Sequence, residues 1–429
     1  MIGETIYALS SGQPPAAIAI VRISGPAARA ASEKLTGSLP PPRQAGLRLL
    51  RHPATGELLD QAMILFFPGP NSATGEDVAE LHLHGGRSVV SAVLDALGSI
   101  EGLRSAEPGE FTRRSFANGR MDLAEAEGLA DLLAAETQSQ RRAALALAGG
   151  ALSRRVEAWQ DRLLQLSATV ESTLDFSDEG EVAQELPTSW MGSLDVLAAE
   201  IDQALGVPPA ERLRDGIRVV IAGPPNAGKS SLLNWLVGRR AAITSAIAGT
   251  TRDLIEAPAA IGGTPFLLVD TAGLRDGADE IEMEGVVLAR QSLGAADLVL
   301  WLGEAGDQPD PARSILVASK ADLFPDNERP PADIHVSAET GEGMNELVRL
   351  LIERARALLP QEGELAINNR HRDALVECVS HLRSASSFAD LLIIAEHLRL
   401  GRAALDRVTG RAGVENMLDR LFGSFCIGK

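Results

Sequence analysis

The residues with the clearest chemical purpose form a glycine-rich segment that ends in a lysine and a serine. An apolar, β-branched stretch at 217–222 runs into Gly223-x-x-x-x-Gly228-Lys229-Ser230, and a helix-like segment follows. Glycines let backbone N–H groups turn inward around phosphate oxygens, and the helix N-terminus adds a favourable dipole. We expect Lys229 to reach the β- and γ-phosphates of a nucleotide and the Ser230 hydroxyl to bind Mg²⁺. A plain glycine-rich turn is the weaker interpretation.

Two further polar segments could complete a magnesium site. A strand-like stretch ends in Asp-Thr-Ala-Gly at 270–273, where the Asp270 carboxylate can hold Mg²⁺ through water and the Gly273 N–H can sense the γ-phosphate. Between this segment and the glycine-rich loop lies Gly-Thr-Thr-Arg-Asp at 249–253. Its Thr251 could complete the Mg²⁺ shell only while the γ-phosphate is present.

A fourth segment has the chemistry needed to select guanine. The strand-like stretch 315–318 leads into Ser-Lys-Ala-Asp at 319–322, and Ser-Ala follows another strand at 337–338. The Asp322 carboxylate can accept hydrogen bonds from the guanine N1–H and exocyclic amine, which adenine lacks, and the Lys320 stem can cover the purine face. The backbone at 337–338 could bind the guanine oxygen. Together the four segments predict a guanine-nucleotide site.

Composition limits the class of protein. A chain of 429 residues predicts roughly two to four domains, and 45% hydrophobic with 23% charged residues is typical of a soluble globular protein. No apolar run reaches membrane-spanning length, and the two cysteines, Cys378 and Cys426, cannot build a disulfide framework. We therefore expect a cytoplasmic protein with no membrane partner. The net charge of −18 argues against indiscriminate nucleic-acid binding but leaves room for a local basic patch.

The four segments resemble the Ras-like (TRAFAC) GTPases over about residues 211–365. One departure is Ser319, which stands where that family normally has Asn. The resemblance implies that the amide that contacts guanine and braces the phosphate loop is gone, so guanine is held more weakly, while Asp322 still selects it. Leu274 occupies the place of the Gln that often orients the attacking water, so another group must position water.

Two nearby features could supply that missing function. Glutamates at 280, 282 and 284 follow Leu274, although a solvated acidic loop is the better interpretation of any single one. Asn226 in the phosphate loop and the hydroxyls at 244–245 could hold a monovalent cation against the phosphates.

The whole chain also resembles the MnmE (TrmE) family of tRNA-modification GTPases. The final Phe425-Cys426-Ile427-Gly428-Lys429 is a highly specific match. The other resembling segments run in order along the chain, at 20–25, 67–72, 75–80, 108–114, 118–123 and 249–253.

This resemblance implies the remaining site residues. It implies a K⁺ site at Asn226, Ser245, Ile247 and Thr250, with Ser245 in place of a family Thr, and Glu282 as the catalytic residue that orients water. It also implies that a 5-formyl-tetrahydrofolate-like one-carbon donor binds to Arg22, Glu80, Arg120 and Lys429, with Arg120 where a family member can carry Lys. Mg²⁺ is assigned to Ser230 and Thr251. The predicted GTP-binding residues are Asn226, Ala227, Gly228, Lys229, Ser230, Ser231, Ser245, Ala246, Ile247, Ala248, Gly249, Thr250, Thr251, Asp270, Thr271, Ala272, Gly273, Ser319, Lys320, Ala321, Asp322, Ser337 and Ala338.

The resemblance further implies partners and a reaction. It implies a homodimer that joins an MnmG-type FAD- and NADH-dependent enzyme in a heterotetramer or larger complex. The two together would add a carboxymethylaminomethyl or aminomethyl group at the wobble uridine, position 34, of certain tRNAs. This sequence carries no dinucleotide-binding fingerprint, consistent with a flavin held by the partner.

The expected fold is multidomain, α/β plus all-α. Residues 1–117 should form an N-terminal mixed α/β domain that binds folate and dimerises, with strands at 17–23, 63–67 and 78–84 and a helix at 88–100. Residues 118–210 and 366–429 should form a discontinuous helical domain, with helical patterning at 123–133 and 141–171. A Ras-like G domain at 211–365 would be inserted between its two halves, joined by linkers at 213–218 and 359–364.

Several of these residues have blander interpretations. Without the resemblance, Arg22 is interpreted as a surface charge at the end of a strand, and Glu80 as part of the solvent-exposed face of a half-buried strand. Lys429 is interpreted as a frayed, solvated tail. Cys426 is a possible redox residue or nucleophile, but its apolar neighbours suit a structural role equally well. His82 and His84 share a strand face with no third metal ligand nearby in the sequence.

Two other functions remain open. A ribosome-assembly GTPase of the Era or EngA kind predicts an RNA-binding module or a second G domain, whereas this sequence has one phosphate loop and no basic C-terminal domain. A folate-responsive binding switch without turnover is the alternative from a different class.

Overall fold

The computed structural model describes residues 3–175, 186–238, 255–270, 290–361, 363–411 and 415–429. By its contacts the chain packs as two compact units, Met1–Ala130 with Thr409–Lys429, and Asp131–Val408. The predicted domain boundaries stay a prediction. Among the described residues, no helix combines the length and the apolarity needed to cross a bilayer.

The first unit is built on a six-stranded mixed sheet in the order β3-β4-β5-β2-β1-β6. All its neighbouring strands are antiparallel except β1 and β6. The strands are β1 (Thr5–Leu9), β2 (Ile18–Ser24), β3 (Gly46–Arg51), β4 (Leu58–Phe67), β5 (Val78–His84) and β6 (Leu103–Ser105). The helices are α1 (Ala28–Thr36), α2 (Arg87–Gly98), α3 (Glu110–Ala117), α4 (Leu123–Ala134), whose last turn belongs to the second unit, and a C-terminal helix, Glu415–Gly423.

Strand alternation decides which side chains of this unit are available for chemistry. Ala19, Val21 and Ile23 of β2 are fully buried in the core that α1 and α2 help to form. Because successive side chains of a strand point to opposite faces, Arg22 lies on the other side of the sheet. The predicted strand at 78–84 is confirmed with the same bounds, and the strands at 17–23 and 63–67 and the helix at 88–100 are confirmed to within five residues.

The sheet of the second unit has the order β12-β11-β10-β7-β9-β8, and every neighbouring pair is parallel except β8 with β9. This arrangement confirms the predicted Ras-like α/β fold. Its strands are β7 (Ile217–Ala222), β8 (Ile255–Ile261), β9 (Thr264–Asp270), β10 (Leu298–Trp301), β11 (Ser314–Ala318) and β12 (Ile334–His335). The helices beside it are α9 (Lys229–Gly238) and α10 (Met344–Arg356).

The remaining helices of this unit are formed by residues that precede the sheet in the sequence and by residues that follow it. They are α5 (Gln138–Ala148), α6 (Ala151–Asp175), α7 (Thr188–Leu205), α8 (Ala210–Arg214), α11 (Asn369–Ala385) and α12 (Leu391–Thr409). The C-terminal helix of the first unit, Glu415–Gly423, is α13. The predicted helical stretch 141–171 is divided between α5 and α6 because Gly150 adopts a positive φ of 76° that a helix cannot continue through.

The chain enters and leaves this sheet side by side. The Ala210 N–H donates to Ile367 O at 3.0 Å, and the Asn369 N–H donates to the Glu211 side chain at 2.6 Å. The predicted linker at 213–218 is in fact the end of α8 and the start of β7. The segment that enters the sheet, at 210–211, is therefore hydrogen-bonded to the segment that leaves it, at 367–369.

The β8–β9 turn should respond differently to two similar substitutions. Gly262 (φ 58°) and Gly263 (φ 79°) join the paired residues Ile261 and Thr264, and both positions favour glycine. An added Cβ at Gly262 would lie 2.4 Å from Ile352 Cδ1, whereas at Gly263 it would meet open space. We expect Gly263→Ala to cost about 1 kcal/mol of unfolding free energy. Gly262→Ala should cost about 0.5–1.5 kcal/mol more, because the terminal methyl of Ile352 has to turn aside.

Urea unfolding of both variants beside the natural chain would measure this difference. Gly263→Ala is the matched control, because it carries the same backbone strain without the contact to Ile352. Equal losses of stability in the two variants would contradict the packing of this turn against α10.

Candidate functional site

The phosphate loop connects the end of β7 to the start of α9. The predicted strand at 217–222 is confirmed, and the helix begins at Lys229. Gly228 has a φ of 85°, and a Cβ on Gly223 would lie 3.0 Å from the Leu302 carbonyl carbon, so both glycines are required by the backbone. Asn226 also has a positive φ, 60°, a conformation that Asn tolerates better than most residues.

The Lys229 side chain lies within this loop. Its Nζ donates to the carbonyl oxygens of Gly223 at 3.1 Å and Pro224 at 2.8 Å, and the residue is only 6% exposed. The ammonium is thereby held inside the backbone of the loop. The loop ends at the N-terminus of α9, where the helix dipole also stabilises anions. The arrangement suits a phosphate group.

Two oxygen ligands meet beside the loop. The Ser230 hydroxyl donates to Asp270 Oδ2 at 2.7 Å, and Asp270 is the last residue of β9 and 2% exposed. The parallel pairing of Ile221 with Asp270 brings these strand ends together. Hydroxyl and carboxylate oxygens are the hard ligands that Mg²⁺ prefers, so the pair fits the predicted ion.

The predicted base-reading segments lie next to the same edge of the sheet. The Ala321 N–H donates to Val336 O at 3.0 Å, which ties the loop at 319–322 to the segment leading into 337–338. The Ser319 hydroxyl donates to Ala227 O at 2.6 Å. The amide expected at position 319 is absent, but the shorter serine side chain still reaches the backbone of the phosphate loop. The weaker hold on guanine stays a prediction.

Part of the predicted site lies outside the described residues. Ser230, Asp270, Ser319 and their neighbours are brought together as expected. The predictions for Ser245, Ala246, Ile247, Ala248, Gly249, Thr250, Thr251, Thr271, Ala272, Gly273 and Glu282 fall in 239–254 and 271–289 and stay predictions.

In the first unit Phe111 links three of the four residues assigned to the one-carbon donor, namely the Arg22–Glu80 pair and Lys429. Arg22 and Glu80 are paired across β2 and β5, with Nη2 2.8 Å from Oε1, and the guanidinium lies 5.7 Å from the centre of the Phe111 ring. The Phe111 N–H donates to Lys429 O at 3.1 Å. The terminal residue is thus held on the unit's backbone, not frayed.

The other polar residues singled out in this unit have separate surroundings. The Arg120 N–H donates to Ser115 O at 2.8 Å, beyond the end of α3. His82 Nε2 lies 3.4 Å from Glu80, and His84 Nδ1 lies 2.7 Å from Asp60. These carboxylate contacts suit the structural interpretation of both histidines, and Cys426 is exposed.

A buried ion-pair network that the sequence did not predict joins α3 to neighbouring segments. The Glu110 carboxylate accepts from Arg104 Nη2 at 2.6 Å and from Arg114 Nη2 at 3.0 Å, and Arg114 Nη1 also donates to Glu76 at 2.9 Å. The one local signal was the i,i+4 spacing of Glu110 and Arg114. Arg104 comes from β6, so only the fold shows that it completes the network.

This network should stabilise the protein in a pH-dependent way. Burial raises the pKa of Glu110, but hydrogen bonds from Arg104, the Glu107 N–H and Arg114 outweigh burial and lower the pKa from 4.5 to about 2. A depressed carboxyl pKa stabilises the folded state above the unfolded pKa, and this stabilisation is lost as the pH falls from about 4.5 towards 2. We expect Glu110→Gln to lose up to about 3 kcal/mol at pH 7, and less as the pH approaches 3.

Urea unfolding at several pH values would test this. Glu33→Gln, at an exposed pair with Arg29 on α1, serves as the control that should change little at any pH. A Glu110→Gln penalty that stayed constant between pH 7 and pH 3 would contradict the assignment.

Comparisons with known proteins agree over the whole chain. The model described as "GTP-binding protein TrmE N-terminus" matches residues 5–120, and the "MnmE helical domain" model matches residues 123–426. The chain is 58% identical over 429 residues to a "tRNA modification GTPase MnmE" of Rhizorhabdus wittichii, covering 99% of this chain and 97% of that protein. It is 56% identical over 427 residues to the protein of that name in Erythrobacter litoralis, covering 99% of this chain and all of that one. From the matched domains and these full-length identities, the chain belongs to the MnmE (TrmE) family of tRNA modification GTPases.

Proposed function

We propose that this protein hydrolyses GTP and that hydrolysis drives the modification of tRNA. The observation that carries the nucleotide half is the meeting of three features at one sheet edge. These are the Lys229 ammonium in its loop, the Ser230–Asp270 oxygen pair, and the 319–322 loop joined to that loop through Ser319. The tRNA half rests on family membership.

Each of these groups has a role in binding and orienting GTP. Lys229 and the loop N–H groups bind the β- and γ-phosphates, and Ser230 with Thr251 holds Mg²⁺, which neutralises phosphate charge when bound. Asp322 reads the guanine N1–H and amine, and the backbone at 337–338 meets the guanine oxygen.

We infer further that hydrolysis depends on K⁺ and on Glu282. Leu274 follows the 270–273 segment and cannot orient water, so this role needs another side chain. Glu282 would hold the attacking water, and Asn226, Ser245, Ile247 and Thr250 would bind the ion that supplies positive charge beside the phosphates.

Multiple-turnover GTP hydrolysis in KCl against NaCl tests the ion and the glutamate together. We expect K⁺ to accelerate turnover at least about tenfold, and Glu282→Ala to abolish that acceleration while GDP binding is retained. Glu284→Ala is the matched control on the same segment. Equal rates in the two salts, with Glu282→Ala unchanged, would exclude this mechanism.

We also propose that the first unit binds a tetrahydrofolate one-carbon donor. Arg22 over the Phe111 ring offers a cation and an aromatic face, and Lys429 is held nearby through its backbone. Guanidinium groups at Arg22 and Arg120 suit the carboxylates of such a donor. Calorimetry with 5-formyl-tetrahydrofolate should show binding that Arg22→Ala weakens and that Arg51→Ala, on the edge strand β3, leaves intact. Unaltered binding in Arg22→Ala would refute the site.

The complete reaction would need an MnmG-type partner that carries FAD and uses NADH. We propose that a homodimer of this chain joins that partner and adds a carboxymethylaminomethyl or aminomethyl group at C5 of the wobble uridine. Nucleoside analysis of tRNA from a deletion strain, complemented with the natural chain or with Lys229→Ala, would test this. Unmodified uridine should persist in the second strain, and normal modification there would separate GTP hydrolysis from the tRNA reaction.

A further inference from the structure

Ser319 joins the base-reading loop to the phosphate loop through a single hydrogen bond. Its hydroxyl lies 2.6 Å from Ala227 O, across 92 positions of sequence. Ser319 is half-buried, directly after the last residue of β11. Its loop is fixed further along by the bond from the Ala321 N–H to Val336 O. Ser319 is therefore held in place from both sides of the site.

The direction of this bond decides what the serine can do for the phosphates. A hydroxyl carries one hydrogen, and here that hydrogen is donated to the Ala227 carbonyl. Because the C=O and N–H of one trans peptide point in opposite directions, the Gly228 N–H points away from Ser319 when Ala227 O is held. An added Cβ on Gly228 would lie 3.6 Å from the Ser319 oxygen, so the two residues are close neighbours.

The same bond decides what the serine cannot do for the base. Asp322 lies three residues further along the loop and reads the N1 and amine edge of guanine. Ser319 lies between Asp322 in the sequence and the phosphate loop that its hydroxyl contacts, so a guanine read by Asp322 along its N1 and amine edge would turn its opposite edge, which carries the N7 acceptor, towards position 319. A side chain whose one hydrogen is already donated has none left for N7, whereas an amide NH₂ has two.

We propose that Ser319 is a positioning residue for the phosphate loop and that it gives the base no hydrogen bond, so that bound nucleotide is released faster than an amide at this position would allow. This inference rests on the proposed GTP function and deepens it. On this proposal the protein recognises guanine without a hydrogen bond to N7.

GDP and 7-deaza-GDP distinguish the two halves of the proposal, because they differ only in the N7 acceptor. The natural chain should bind both with affinities equal within about twofold. Ser319→Asn should slow GDP release about five- to tenfold. It should also bind GDP about five- to tenfold more tightly than 7-deaza-GDP. A gain of affinity and a new preference cannot arise from a damaged fold.

The hydrogen bond from Ser319 to the phosphate loop is tested with one variant that removes the hydroxyl and one that keeps it. Ser319→Ala should speed the release of both nucleotides about three- to tenfold, without a preference between them. Ser319→Thr, which retains the hydroxyl, should release both nucleotides at about the rate of the natural chain. Fluorescence measurement of nucleotide release by stopped flow, with calorimetry for affinity, gives each value.

The outcomes separate this inference from the function beneath it. If the natural chain preferred GDP to 7-deaza-GDP, or if Ser319→Asn changed neither release nor preference, the assignment of Ser319 would be wrong while GTP binding stood. Unaltered release in Ser319→Ala would exclude the brace. A natural chain that bound neither nucleotide would overturn the proposed function and this inference together.

Discussion

Replacing Lys229 with alanine is expected to lower the rate of GTP hydrolysis by at least about a hundredfold. The ammonium donates to the carbonyl oxygens of Gly223 and Pro224, and so it neutralises two acceptors that would otherwise repel an incoming phosphate. The substitution removes the cation and leaves these partial negative charges facing the nucleotide. GTP affinity should fall as well, because the same charge meets the ground-state phosphates.

A charge-preserving variant separates charge from shape. Lys229→Arg keeps a cation, but a planar guanidinium replaces a compact ammonium in a site that is only 6% exposed. We expect it to lose at least about tenfold in hydrolysis. Single-turnover hydrolysis and GDP titration would measure both variants, with Lys34→Ala on α1 of the other unit as the control. Hydrolysis by Lys229→Ala within twofold of the natural chain would rule out the phosphate loop as the working site.

Asp322→Asn is expected to exchange guanine specificity for xanthine specificity. The carboxylate accepts from both N1–H and the 2-amino group of guanine, whereas an amide offers one acceptor and one donor. Xanthine carries a carbonyl oxygen in place of the amine, so it matches the amide. Asp322→Asn loses a charged hydrogen bond to guanine and leaves an unpaired polar group in its place. GTP binding should therefore weaken about a hundredfold.

Nucleotide titration and hydrolysis with GTP and xanthosine triphosphate would measure this exchange. Asp307→Asn, at an exposed carboxylate after β10, is the matched control and should leave the preference for GTP unchanged. If Asp322→Asn still preferred GTP, guanine would have to be selected elsewhere in the site.

Local sequence was enough to predict the phosphate loop and its flanking elements. A buried strand, glycines at positions that need a positive φ, and a helix starting at the lysine all depend on neighbours within one short segment, from Ile217 to Ser230. The sequence also predicted that the Asp270 carboxylate, at the end of a strand, could hold Mg²⁺ through water. The structure shows that this carboxylate lies 2.7 Å from the Ser230 hydroxyl, because the carboxyl ends of parallel strands meet at one edge of a sheet.

The sequence by itself therefore determined the fold class and the chemical character of the nucleotide site. Tertiary structure decided what Ser319 does, because its contact with Ala227 depends on β11 and β7 lying in one sheet with β10 between them. It likewise decided that Arg104 from β6 completes the Glu110 network and that Lys429 is held by Phe111. Such contacts join residues far apart in sequence through the short reach of a hydrogen bond, and only the packed chain brings those atoms within about 3 Å.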